Sequence, residues 1–122
     1  MSLLHLLPLT VWEHVRDAGD YRPDSYDVDG FVHCSGDDAV MLAVANAYYR
    51  AAVDELVVLE LDAAKLRAEV RWEAPDPAPP PKVAAGTLFP HVYGPLDLAA
   101  VVRVRRLVRD DVGDFSGYQP VV

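Results

Sequence analysis

The chain has 122 residues, of which 52% are hydrophobic and 25% charged, a globular composition of single-domain length that excludes a disordered or fibrous protein. Acidic residues outnumber basic ones, 19 to 11, for a formal charge of −8. A surface with that balance repels phosphate backbones and anionic lipid, so nucleic acid is disfavoured as a partner and no membrane association is expected. The single cysteine, Cys34, excludes an intramolecular disulfide and suits a reducing compartment. Met1 to Leu7 is apolar but lacks the basic leader and cleavage site of a signal peptide, and no run reaches the ~18 apolar residues of a membrane span. A cytoplasmic, bacterial-type location is therefore expected; the sequence sets no oligomeric state.

In chain order, Ser2 to Leu7 reads as a short buried strand ended by Pro8. Thr10 followed three residues later by Glu13 has the form of a capping box. Val11, Trp12, Val15 and Ala18 then predict an amphipathic helix that stops at Gly19. Residues 20–29, with Pro23, Ser25 and several aspartates, read as a loop. Gly30 to Cys34 reads as a strand, and Ser35 with Asp38 offers a second cap for a helix over Asp38 to Arg50. Glu55 to Leu61 is the clearest strand, Asp62 to Leu66 a helical turn, and Glu69 to Glu73 another strand. Ala74 to Lys82 holds five of the ten prolines and reads as a stiff surface loop. Leu88 to Tyr93 reads as a strand, Gly94-Pro95 as a turn and Ala100 to Val108 as a last strand. From Arg109 to the terminal Val-Val a loosely held tail is expected. Short strands with two substantial helices make an α+β domain.

Alternation along a strand assigns faces. Leu3, His5 and Leu7 share one, as do Phe31, His33 and Ser35, and Phe89, His91 and Tyr93. Three of the four histidines thus sit on apolar or aromatic strand faces. Either each is a separately satisfied structural histidine, or they converge on one site with Arg71 and Glu73, which share a face of the following strand. Helical His pairs and Cys-x-x-Cys spacings are absent, so no metal site is expected. Cys34 points opposite to His33 and is read as a core residue. Ser35 is read as a helix cap before a nucleophile. Arg71 and Glu73 are either an exposed pair or ligand anchors. Arg103, Arg105, Arg106 and Arg109 form a basic cluster, most simply a charged strand edge.

The runs carrying these residues, Gly30-Phe31-Val32-His33-Cys34-Ser35 and Phe89-Pro90-His91-Val92-Tyr93-Gly94-Pro95-Leu96, resemble the family called domain of unknown function 952. His5, Trp12-Glu13, Ala45-Asn46, Leu59-Glu60-Leu61-Asp62 and Val70-Arg71-Trp72-Glu73 carry the resemblance too, over about residues 2–107. The resemblance implies a family domain over 1–108, a proline-rich insertion at 75–82 and an extension over 109–122. It implies a mixed, mostly antiparallel split sheet of ADP-ribosyltransferase-like fold, whose cleft holds NAD or an ADP-ribose derivative as substrate, with no resident cofactor. On that reading the chain is a transferase or glycohydrolase; a non-catalytic nucleotide sensor and a hydrolase of an unrelated small molecule are the alternatives. His33, His91 and Glu73 would be catalytic, the histidines as acid or base and Glu73 stabilising a cation-like ribose. His5 and Ser35 would bind hydroxyls, Phe31 and Tyr93 would sandwich a flat ring, and Arg71 would hold a pyrophosphate.

Overall fold

The run Leu56–Asp62 is apolar at nearly every position because both of its faces are covered, the pattern of a central strand rather than an amphipathic one. In chain order the described elements are β1 (Ser2–Pro8), α1 (Leu9–Val15), β2 (Asp20–Tyr21), α2 (Tyr26–Asp29), β3 (Val32–His33), α3 (Asp38–Tyr48), β4 (Leu56–Asp62), β5 (Glu69–Glu73), β6 (Phe89–Tyr93), β7 (Leu96–Asp97), β8 (Val101–Arg109) and β9 (Phe115–Pro120). Single 3-10 turns lie at Ala63–Lys65 and Leu98–Ala100. This computed structural model describes residues 1–75 and 78–121. Asp76 and Pro77, within the expected proline-rich loop, and Val122, the second of the terminal valines, lie outside the described residues.

A four-stranded sheet of order β1-β4-β8-β9, a three-stranded sheet of order β3-β6-β5 and the short pair β2-β7 make up the described β-structure. One face of the larger sheet presents Leu4, Leu6, Leu56 and Val58 to Met41 and Ala45 of α3. Its other face presents Leu3, Leu7, Val57, Leu59 and Leu61 to Trp12 of α1 and to Val32 and Val92 of the smaller sheet. The sheets also touch edge to edge. Leu4 and Ser35 exchange both backbone hydrogen bonds, at 2.9 and 2.8 Å, as an isolated antiparallel bridge. In the smaller sheet Val32, Val92 and Val70 lie in register, and one residue along so do His33, His91 and Arg71. A strand's period of two turns the valines into the core and the histidines with Arg71 to the opposite face. Among the described residues, no helix is long and apolar enough to cross a membrane.

The α+β reading holds, with two sheets joined by one bridge, but every described pairing is antiparallel rather than mixed. Helix α1 starts at Leu9 with Pro8 at its cap and no side-chain capping bond, so Thr10 forms no capping box; it ends at Val15, short of Gly19. Proline supplies the fixed φ that launches the turn instead. Helix α3 is capped by Asp37, whose Oδ1 accepts from the Val40 amide at 2.8 Å, and not by Ser35, whose backbone belongs to the bridge with Leu4. The 20–29 loop holds β2 and α2, and Gly30 ends α2 with φ 80°, a left-handed cap that turns the chain into Phe31.

The tail departs furthest from expectation. Residues 115–120 form β9, and β8 is therefore an interior strand, not an edge. The Asn46 amide reads the backbone of Phe115 from both sides, accepting from its N–H at 2.7 Å and donating to its carbonyl at 3.0 Å. Arg109 donates to the carbonyls of Arg50, Ala52 and Gly113. The other arginines of the basic cluster are paired with carboxylates: Arg103 donates to Glu60, buried Arg105 donates a bidentate bond to Asp38, and Arg106 faces Glu55. Among the described residues of this cluster, three arginines are thus charge-paired and Arg109 is tied down by backbone carbonyls. Phe115 is 5% exposed in the α3 core, so Phe115→Ala is expected to cost about 3–5 kcal/mol, the range for a buried aromatic. The urea midpoint of the variant checks this, and a change under ~1 kcal/mol would restore the loose tail.

Candidate functional site

Strand alternation and the edge bridge together place a ring of polar side chains around one cavity of about 600 Å³. That volume lies within the roughly 300–1,000 Å³ typical of small-molecule sites. β1 contributes His5, the β3 segment His33 and Ser35, and β6 His91. Met41, Val44 and Tyr48, spaced three and four along α3, form another wall, as one helical face must. Pro75, Ala78 and Pro80 border it as well, and the Tyr48 hydroxyl donates to the Ala78 carbonyl at 3.3 Å.

His5 is 5% exposed, and its Nδ1 donates to the His33 carbonyl at 2.8 Å. A carbonyl only accepts, so the hydrogen resides on Nδ1 and the neutral ring leaves Nε2 as a bare acceptor. Nε2 is buried and has no partner among the described residues. Burial, partly opposed by the His33 bond, takes the His5 pKa down to about 4, so the ring is neutral near pH 7. An unmatched buried acceptor costs about 1–3 kcal/mol, which a ligand donor would recover.

His33 and His91 pair across β3 and β6, their ring centroids 5.7 Å apart. Each is held by a carboxylate. His33 Nε2 lies 2.8 Å from Asp29 Oδ2, and His91 Nδ1 lies 2.9 Å from Glu73 Oε1. Glu73 Oε1 also accepts from the Tyr93 hydroxyl at 2.5 Å. The bonds from Tyr93 and then His91 hold the Glu73 carboxyl below its ordinary value, and the same contact raises the Tyr93 phenol. Glu73 is thus an ionised strut under His91. Phe31 stacks on the His91 ring at 4.0 Å and 20° and fixes its plane.

Of the residues singled out in the sequence, His5, His33, Ser35 and His91 line the cavity, and Glu73 and Phe31 reach it through His91. Three expected roles do not survive. Phe31 and Tyr93 have centroids 5.5 Å apart, so they touch one another and leave no slot for a sandwiched ring. Arg71 is absent from the lining; it donates to Glu69 at 2.9 Å and lies over the Tyr93 ring, leaving no pyrophosphate clamp in the cavity. Ser35 does not cap α3. Cys34 packs in the core, with its thiol pushed up to about 12 by burial, so it supplies no thiolate near neutral pH. Among the described residues no three His, Cys, Asp or Glu side chains gather as a metal site.

Sequence reasoning missed Asp29 and the aromatic wall of Tyr21, Tyr48 and Tyr49. Asp29 is one of four aspartates in a stretch read as loop, and only the turn at Gly30 aims it at His33. The Met41–Val44–Tyr48 spacing was a usable signal.

The depressed His5 pKa has a thermodynamic consequence. The unfolded chain binds a proton near the ordinary 6.5 and the folded chain only near 4, so His5 stabilises the fold fully above pH 6.5 and loses that contribution as pH falls toward 4. The loss is up to about 3 kcal/mol. Urea midpoints at pH 7.5 and 4.5 are expected to converge partly in His5→Gln; an unchanged pH dependence in that variant would refute the neutral buried ring.

Similarity to known proteins agrees with this geometry at the level of fold. The chain is similar to the crystal structure of protein CC0527 from Caulobacter crescentus, with a TM-score of 0.76 and 26% identity over 95% of this chain and 94% of that one. The solution NMR structure of CC0527 gives a TM-score of 0.69 at 26% identity, over 92% and 89% of the two chains. Among curated proteins, none matches. A family model described as "Protein of unknown function (DUF952)" matches residues 6–104, a span that runs from β1 to β8 and takes in His33, Glu73, His91 and the cavity between them. The chain therefore belongs to the DUF952 family.

Proposed function

We propose that the cavity binds the ribosyl part of NAD or an ADP-ribose derivative, on a fold of ADP-ribosyltransferase type, and that the chain acts as a transferase or glycohydrolase on the glycosidic bond. The observation that supports this reading most is that His5, a residue lining the cavity, has a buried Nε2 with no partner among the described residues. A sugar hydroxyl is a donor of the right size to satisfy it. His91 serves as the general base through Nε2, its Nδ1–H anchored by Glu73. His33, its Nε2 held by Asp29, protonates the leaving group of an ADP-ribose derivative from Nδ1 when the ring carries both protons; the nicotinamide of NAD leaves neutral and needs no acid. Glu73 acts through His91 and is a positioning residue, in place of the direct contact with a ribose cation that the family resemblance implies. Ser35 is the second hydroxyl ligand.

One observation favours a second reading, a hydrolase of an unrelated small molecule. No Lys or Arg is among the described lining residues, so the cavity holds no fixed partner for a phosphate.

Thermal unfolding with NAD, ADP-ribose and a 2′-phosphorylated nucleotide separates these. A ligand at a hundredfold excess over its Kd adds about 2.7 kcal/mol of stability. A rise in Tm with NAD or ADP-ribose, lost in His33→Ala and His91→Ala, is the expected result and justifies a turnover assay. A well-folded protein that responds to none of the three removes the nucleotide reading.

A further inference from the structure

The polarity of the cavity narrows its ligand further. Imidazoles of His5, His33 and His91 line it, and in each ring one nitrogen is bonded to an atom that can only accept: the His33 carbonyl, Asp29 and Glu73 respectively. Those nitrogens carry the hydrogens, so the other nitrogen of each neutral ring is a lone pair. Adding a proton to His33 or His91 does not make the region cationic, because each lies against its own carboxylate at 2.8 and 2.9 Å. Among the described residues no carboxylate bonds His5, and burial keeps it neutral. Arg71, the arginine that shares a row with His33 and His91, is held by Glu69 and the Tyr93 ring. An anion entering this space would lose its hydration and meet lone pairs and a carboxylate.

We propose that the cavity is a site for a small, donor-rich molecule that is uncharged or cationic, an amine, amidine or polyol, which places a donor on His5 Nε2, and that anionic groups are kept outside. Tyr21, Tyr48 and Tyr49 are also in the lining, and an aromatic ring attracts a cation that lies over its face. The inference deepens the ribosyl reading and rests on it for the choice of cavity: hydroxyls enter, and phosphates stay in solvent.

An isosteric charge series tests it on the full chain carrying 15N-labelled histidine. Benzamidine is a cationic donor, benzamide a neutral one, and benzoate an anion with acceptors only. Benzamidine and benzamide are expected to move the His5 Nε2 resonance, with benzamidine binding about tenfold or more tighter than benzoate. Read as a rise in Tm, benzamidine binding is expected to persist in Tyr48→Phe and to be lost in folded His5→Phe; binding undiminished in His5→Phe would overturn the proposal. Benzoate or inorganic phosphate binding as tightly as benzamidine would overturn the proposal, as would failure of all three to move His5 Nε2 at millimolar concentration. The two readings fail separately. A benzamidine response without any NAD or ADP-ribose response removes the nucleotide and keeps the polarity, while a nucleotide response displaced by benzoate does the reverse.

Discussion

The hydrogen bond from His5 Nδ1 to the His33 carbonyl ties the four-stranded sheet to the three-stranded one at the place where their edges meet. It works together with the Leu4–Ser35 bridge one residue away on β1. The bridge uses the backbone of Ser35, and the imidazole takes up the carbonyl of His33 that the bridge does not. Because both sheets are pinned along this seam, the space beside it stays open between α3, α2 and β6 instead of collapsing. The same bond decides which nitrogen of His5 is bare. A structural contact and an unpartnered acceptor are thus the two ends of one ring.

Register does the rest. His33 and His91 oppose one another because Val32 and Val92 do, and those valines are fully buried, so a one-residue slip would drive imidazoles into the core. β5 adds Glu73 two residues beyond Arg71, within reach of His91 and Tyr93. The result is two carboxylate–imidazole pairs 5.7 Å apart between ring centroids, each with one nitrogen anchored and the other available. Such an arrangement can move protons on and off one bound molecule without a net positive charge at any step. That property separates it from a phosphate-gripping site, which would present arginine or lysine to its ligand.

Much of this was legible in the sequence where a local rule governs. Period two along Gly30–Ser35 and Phe89–Gly94 assigned His33, His91 and Tyr93 to shared faces, and the Glu55–Leu61 run, rich in Val and Leu, marked the clearest strand. The failures have physical causes. β9 was invisible because Phe115–Pro120 becomes a strand only by pairing with β8 and by the Asn46 amide, both distant in sequence. Ser35 and Asp37 both suit an N-cap, and the backbone bridge to Leu4 took Ser35 away from that role. Arg71 looked like a ligand anchor, but Glu69 two residues earlier on the same strand face offers it a partner at once. The aromatic slot failed on distance alone, which no pattern of residue types encodes.

The central claim is that His5, a residue of the cavity lining, keeps Nε2 as a bare acceptor while Nδ1 holds the seam. Long-range 1H–15N correlation spectra of the free protein near pH 7 read the tautomer of each imidazole directly. The expected result is a neutral His5 with its hydrogen on Nδ1. A His5 ring protonated on Nε2, or carrying both protons, would contradict the account, because the cavity would then present a donor where the structure requires an acceptor.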